Sequence, residues 1–297
     1  MNKHGSVLVT GATGKQGGAV ADALLRSGQQ IRVLTRRPDS PAAVALQARG
    51  ASLAVGSFDD QDSLRAALAG QDAVFAVSTF LEGGTDTEVR QGRALIAAAK
   101  AAGIAHFVFT SVAAANQSTG IPHFDSKAAL ERELVESGLP HTIIAPAYFF
   151  ENLFIPQVLD GVRGGVYAAP LPADRPLAQI SVSDIGAFGA LVLARRDAFL
   201  GRRIDIASQS LSGNDTVATL SRVLGRPLGY FEIPLPAIKA QSEDLALMYD
   251  WFARVGFSID TAALKAEYPE VPWLSFDTWA NQQDFAALGL TAPTGQV

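Results

Sequence analysis

Along the first half of the chain, short β-branched runs alternate with longer Ala- and Leu-rich stretches in which apolar residues recur at helical spacing. The runs predict strands over 6–10, 31–35, 51–55, 73–77, 106–110 and 141–145. The stretches between them predict helices over 16–27, 41–49, 61–69, 87–102 and 125–137. In the first helix Val20, Leu24 and Leu25 share a face, and the second has Pro41 in its first turn, where a missing N–H costs nothing. Gly28, Gly70, Gly103 and Gly138 stand where helices must end in a left-handed residue. The strands are near-continuous apolar runs, so both faces should be covered, and helical crossovers between them make the sheet parallel. The expected fold class is α/β: a Rossmann-type doubly wound parallel sheet with a smaller α+β C-terminal domain.

After residue 150 the pattern loosens. A helix is expected over 149–159, a Gly- and Pro-rich loop or small hairpin over 161–176, and a helix over 183–194 that starts at a Ser183–Asp184 cap. Residues 203–207 read as a strand returning to the sheet, and 212–224, 236–240 and 243–254 as helices. The tail from Tyr268 carries Trp273, Trp279 and the segment 275–288. The domains expected are 1–150, with 177–210 returning to it, and a smaller cap or substrate domain from 151–176 and 211–297.

Composition narrows the chemistry. The chain has 297 residues, 48% apolar and 18% charged, enough for a large core. A net charge of −5 argues against nucleic acid as the main partner. The absence of cysteine removes disulfides, thiolate nucleophiles and Cys-held metals. The four histidines (His4, His106, His123, His141) lack metal-ligand spacing, so no metal is expected. No charged-then-apolar leader and no run of 18 apolar residues is visible, which sets a cytoplasmic expectation with no membrane partner.

The first strand runs into Gly11-Ala12-Thr13-Gly14-Lys15-Gln16-Gly17-Gly18, a GxxGxxG turn between a strand and a helix. Glycine lets the backbone approach a diphosphate closely, and the helix N-terminus offers N–H groups and a positive dipole end. Gly11, Thr13, Gly14, Lys15, Gln16 and Gly17 are the expected diphosphate seat; the alternative is a merely tight turn. Where an NAD site places an acid at the end of the second strand, this chain has Thr35-Arg36-Arg37. Arg36 or Arg37 should meet a 2′-phosphate, with Lys15 nearby, so NADP(H) is the expected cofactor. Phe58 and Asp59 after the third strand either flank the adenine or cap the next helix. Ser78, Thr79 and Phe80 after the fourth should follow the diphosphate and the nicotinamide ribose.

The segments Val9-Thr10-Gly11-Ala12-Thr13-Gly14-Lys15-Gln16-Gly17-Gly18, Leu34-Thr35-Arg36-Arg37, His123-Phe124-Asp125-Ser126-Lys127 and Pro146-Ala147-Tyr148-Phe149-Phe150-Glu151-Asn152 together resemble the NmrA-like family. This is an atypical branch of the short-chain dehydrogenase/reductase superfamily, and the likeness runs from about residue 6 to about residue 195. It implies a Rossmann domain and a small C-terminal domain around a cleft. Some members reduce quinones, dyes or phenolic compounds with NAD(P)H; others, the redox-sensor kind, bind the dinucleotide and regulate a protein partner.

The resemblance also supplies a catalytic template, a Tyr four residues before a Lys on one helix face. Here Lys127 is present and His123 stands in the Tyr position. Lys127 is either a contact to the nicotinamide ribose or a surface charge. His123 is either a proton donor or a loop residue preceding the helix. Ser111, ending the fifth strand, either binds a substrate carbonyl or simply ends the strand. Pro146, Tyr148, Phe149 and Asn152 are expected around the nicotinamide, with core aromatics as the alternative. Tyr249, Trp251, Phe252 and Phe257 line an apolar pocket or form a core.

The function expected is an NADPH-dependent oxidoreductase of a quinone-like or carbonyl acceptor. The alternative is a non-catalytic NADPH/NADP sensor acting on a protein partner, and a cofactor-binding relic is the third reading. The partner is then a small apolar substrate or a regulatory protein, with a homodimer suggested by the superfamily.

Overall fold

The structure is a computed structural model that describes residues 5–290; His4 and the last seven residues of the expected cap domain lie outside the described residues. The chain begins β1 (Val7–Val9), α1 (Lys15–Arg26), β2 (Ile31–Thr35), α2 (Pro41–Ala48), β3 (Ser52–Val55), α3 (Gln61–Leu68) and β4 (Ala73–Val77). It continues α4 (Gly84–Ala101), β5 (His106–Thr110), α5 (Pro122–Ser137), β6 (His141–Pro146), β7 (Tyr148–Phe149), α6 (Pro156–Arg163), β8 (Val166–Ala169) and β9 (Leu177–Ile180). Then follow α7 (Val182–Ala194), α8 (Arg196–Phe199), β10 (Arg203–Ile206), β11 (Gln209–Leu211), α9 (Gly213–Leu224) and β12 (Gly229–Glu232). The last are α10 (Leu235–Lys239), α11 (Glu243–Arg254), α12 (Thr261–Glu267) and α13 (Phe276–Asn281).

The chain divides into two compact units. The first runs to Pro146 and takes back Val182–Ile206; the second holds Ala147–Ser181 and the chain from Ala207 onward. The return was expected over 177–210, yet β9 pairs with β7 and β11 inside the second unit, and only α7, α8 and β10 go back.

In the first unit seven parallel strands lie in the order β10-β6-β5-β4-β1-β2-β3. The connection reverses direction between β1 and β4, the switch point where such sheets open a crevice beyond their carboxyl ends. On one face Leu8, Val74, Phe107, Phe109 and Ile143 pack against Leu64, Leu68, Leu95, Ile96, Leu130 and Leu134 of α3, α4 and α5. On the other, α7 lies on α1 because two of its residues lack side chains. A Cβ at Gly186 would stand 2.6 Å from the Ala19 carbonyl oxygen, and one at Gly189 would stand 3.0 Å from Phe75.

Helix ends in this unit move by one to three residues, as frayed ends do. One shift matters: α5 starts at Pro122, with the proline in its first turn, so His123 is helical rather than part of a preceding loop. Likewise α7 starts at Val182, which puts Ser183 and Asp184 inside its first turn instead of at a cap.

The second unit departs further. The helix expected over 149–159 is instead β7, a 3-10 turn (Phe150–Phe154) and α6, because Pro156 tolerates only a first-turn position. The loop or hairpin expected over 161–176 contains β8, which pairs in parallel with the distant β12 and so forms no hairpin. Phe150, Leu153, Leu159, Leu220, Phe276 and Trp279 are part of this unit's core.

Candidate functional site

At the switch point, Thr10 clamps the ends of two strands: its Oγ1 accepts from Val77 N (2.8 Å) and donates to Val77 O (3.2 Å). The chain then turns at Gly11, whose φ of 64° is left-handed and whose absent side chain leaves room for Val77. Gly14 N–H closes the turn onto Gly11 O at 2.9 Å. Gly17 is buried against this turn, and a Cβ there would lie 2.5 Å from the Gly11 carbonyl and from Thr10 O. Gly14 is the N-cap of α1 and has no side chain to cap it, so the helix presents its first turn uncapped. Gly11, Thr13, Gly14 and Lys15 are exposed, Gln16 half-buried. The Gln16 amide oxygen accepts from Thr110 Oγ1 at 2.7 Å, tying the start of α1 to the end of β5.

At the end of β2 both arginines are exposed. The Arg36 guanidinium holds Glu82, in the segment after β4, through two contacts of 2.7 and 2.8 Å. Glu82 is held below the usual carboxylate range chiefly by the Arg36 hydrogen bond, with Arg37 adding to the pull. A carboxylate of this chain thus occupies the fork that suits a phosphate. Asp59 is gripped by Arg90 and Gln91, and the hydrogen bond from Arg90 is the main cause of its lowered pKa. The cap of α3 is its neighbour Asp60, which accepts from Asp62 N and Ser63 N. Phe58 packs against the α3–α5 core.

The segment after β4 is pinned from below. Lys127 Nζ donates to Ser78 O (2.9 Å), Ser78 Oγ (2.8 Å) and Glu88 Oε1 (2.8 Å). An ammonium has three N–H bonds, and these contacts account for all three. Glu88 is fully buried and also accepts from Ser78 Oγ (2.9 Å) and Ser126 Oγ (2.5 Å). Burial pushes the Lys127 amine down, against the opposing charge of Glu88. One helical turn before Lys127, the His123 ring stacks on Phe80 at 4.6 Å and 22°. The Thr79 hydroxyl accepts from Leu81 N. The 78–82 segment is thus held at one end by α5 and at the other by Arg36.

Ser111 belongs to a different network. Its hydroxyl donates to Glu131, which also receives Arg203 Nε at 2.8 Å; Arg203 goes on to Asp205 and to Val112 O. Its proton serves the packing of β10 on α5. Pro146 ends β6, where its carbonyl accepts from Ala113 N.

Tyr148, Phe149 and Asn152 lie in the second unit. The Tyr148 and Tyr249 hydroxyls are 3.3 Å apart, and Asn152 also hydrogen-bonds Tyr148. The second-unit aromatics divide their roles: Trp251 and Phe252 are buried core, whereas Tyr249 lines a cavity. Sequence reasoning missed Glu82, Glu88, Glu131, Tyr167 and Tyr230. Glu88 had a signal, since it sits on the same helical face as buried Gly92, Leu95 and Ala99.

A family model for the NmrA-like family matches residues 3–278. The chain belongs to the NmrA-like family. The chain is 28% identical to a (4-alkanoyl-5-oxo-2,5-dihydrofuran-3-yl)methyl phosphate reductase from Streptomyces griseus, over 98% of this chain and 91% of that one. It is 30% identical to an NAD(P)H azoreductase from Xenophilus azovorans, over 78% and 79% of the two chains. A crystal structure of an NADPH-dependent quinone oxidoreductase from Escherichia coli, complexed with NADPH, shares the fold with a TM-score of 0.78. That structure covers 92% of this chain and 98% of its own at 24% identity. Among the described residues of this NmrA-like chain no helix is long and apolar enough to cross a membrane, and no cluster of His, Asp and Glu could hold a metal.

Proposed function

We propose that this NmrA-like protein binds NADP(H) on the glycine turn of its first unit and reduces a small conjugated acceptor, quinone-like or carbonyl. The observation that carries the reading is the cradle at Gly17, where backbone stands 2.5 Å from any Cβ, beneath an uncapped helix end. Such a close-packed turn with open N–H groups fits a diphosphate. Arg36 and Arg37 beside it favour the 2′-phosphorylated dinucleotide. Two relatives whose names describe reductases support the reaction class.

Bound NADPH supplies the hydride. This chain's residues bind and orient: the turn holds the anion, and Lys127 with Glu88 fixes Ser78 at the crevice. His123, stacked on Phe80, makes a flat wall in the position where the superfamily has its tyrosine. The proton completing the reduction is taken from water, so positioning dominates the catalysis. Lys127 is then a positioning residue and Ser111 a structural one.

NADPH oxidation followed with a quinone, an azo dye and an unsaturated lactone tests the proposal. Turnover with at least one of them, and weaker binding of NADH than of NADPH, is expected. Tight NADPH binding without turnover of any would transfer the reading to a redox sensor. That second reading is favoured by His123 standing where a tyrosine acid would be and by the fully engaged Lys127 amine.

A further inference from the structure

The second unit contains a cavity of about 20 Å³ lined by four tyrosines, Tyr148, Tyr167, Tyr230 and Tyr249, with Leu177 and Arg175 among its other walls. A water molecule needs roughly 10–15 Å³ on this measure, so the cavity takes one oxygen-sized group. No carboxylate lines it, and the charged residue in its lining is Arg175, whose guanidinium is anchored to Phe252 O and Val255 O. The fold spends structure on keeping the ring of Tyr230 there. A Cβ at Gly213 would come within 2.2 Å of that ring, and the Tyr230 hydroxyl is locked by donating to Leu171 O at 2.6 Å.

Counting protons shows what the cavity offers. The Tyr230 proton is spent on Leu171 O, whereas the Tyr167 hydroxyl keeps its proton for the cavity. Between Tyr148 and Tyr249, 3.3 Å apart, one hydroxyl donates to the other, and the second proton is left over. Burial keeps both phenols protonated, since it raises their pKa values. The site is thus a neutral hydrogen-bond donor beside a cation, in a space one oxygen wide.

We propose that this tyrosine cavity seats the oxygen of a phenol- or quinone-type molecule, with the Tyr148–Tyr249 pair and Tyr167 donating to it. The binding lies within the second unit, needs no cofactor, and rests on the reductase reading only for the choice of a phenol- or quinone-type ligand.

The test titrates the whole chain, free of dinucleotide, with 2-naphthol and with 2-methoxynaphthalene, following the probe's fluorescence. The free hydroxyl should bind at least about tenfold more tightly than the methyl ether, whose extra carbon overfills the cavity. The tyrosine pair predicts an unusual pattern. In Tyr148→Phe or Tyr249→Phe the surviving hydroxyl still has its one free proton, so affinity changes less than about threefold. In the triple variant that adds Tyr167→Phe to both, no tyrosine hydroxyl with a spare proton remains, and affinity for 2-naphthol falls by about tenfold, the worth of one hydrogen bond. The ether's affinity should not respond. Equal binding of the two probes, or a triple variant that binds 2-naphthol as the parent does, overturns the proposal. Displacement of 2-naphthol by inorganic phosphate also overturns it, assigning the cavity to an anion. NADPH binding measured on the same samples tells this failure apart from failure of the reductase reading.

Discussion

Replacing Glu88 and Lys127 by methionine, singly and together, tests whether the ion pair beneath Ser78 is one coupled unit. Glu88 has no solvent exposure, and the Lys127 side chain is 11% exposed. Glu88→Met leaves an ammonium in that space with only Ser78 as partner. Removing one member of a buried pair costs about 3–5 kcal/mol, because the survivor keeps its desolvation penalty without its Coulombic compensation. Lys127→Met should fall at the lower end of that range, since two serine hydroxyls still donate to the Glu88 carboxylate. In the double variant neither charge remains, and two unbranched apolar side chains fill much the same volume. A buried pair exchanged for apolar residues is often near neutral. The double variant should therefore be more stable than Glu88→Met alone, with a coupling of about 3 kcal/mol.

Urea unfolding followed by far-ultraviolet circular dichroism reads the cycle. All three tryptophans (Trp251, Trp273, Trp279) lie in the second unit, so tryptophan fluorescence followed alongside reports on that unit. Single losses that simply add in the double variant would refute the buried-pair account. So would a loss below about 1 kcal/mol in Glu88→Met, the value of a solvated surface pair.

Three further outcomes are expected. Gly17→Ala forces a Cβ against backbone at 2.5 Å and should cost about 1–3 kcal/mol of stability along with most NADPH affinity, measured by melting and by calorimetry; unchanged NADPH affinity would refute the seat. Glu82→Ala frees the Arg36 fork and should tighten NADPH about two- to fivefold without changing NADH, whereas Arg36→Ala should weaken NADPH alone; identical shifts for both dinucleotides would remove Arg36 from the 2′-phosphate. Burial raises the pKa of Tyr148, Tyr167, Tyr230 and Tyr249, with Tyr230 pushed up to about 12, whereas an unfolded tyrosine ionises near 10. Above pH ~10 the unfolded chain therefore holds fewer protons than the native one, so this stabilisation, complete below that pH, is lost as pH rises toward the folded values; tyrosinate absorbance that develops fully at pH ~10 in the native protein would contradict it.

The first unit was legible because its signals are local. Each strand is a short apolar run, each helix has its own stripe, and Gly28, Gly70, Gly103 and Gly138 are all left-handed where the helices end. The glycine turn was legible for the same reason. The second unit was not, because β8 finds its partner β12 some sixty residues later and no turn chemistry marks that pairing. Nor does the period of 149–159 reveal a break, since Pro156 divides a stretch whose apolar spacing alone suits one helix.

The candidate site divides along a related line. Residue types with a backbone reason to be where they are, Gly11 and Gly17 above all, form the tight turn that the sequence predicts. Side chains whose chemistry depends on a distant partner could not be assigned from sequence. Lys127 sits in the expected place on α5, yet its three N–H bonds go to Ser78 and Glu88, and nothing in the spacing of 123 to 127 says so. Glu88 was the available clue. A carboxylate on the same face as Gly92, Leu95 and Ala99 must be neutralised or paired, because burying it alone costs far more than a helix gains from packing. That argument demands a buried cation on a neighbouring element, and Lys127 is the cation on α5, the helix that packs on α4. Read this way, the lysine is bound to the sheet crevice through Ser78, and its effect on a dinucleotide should pass through the position of that serine.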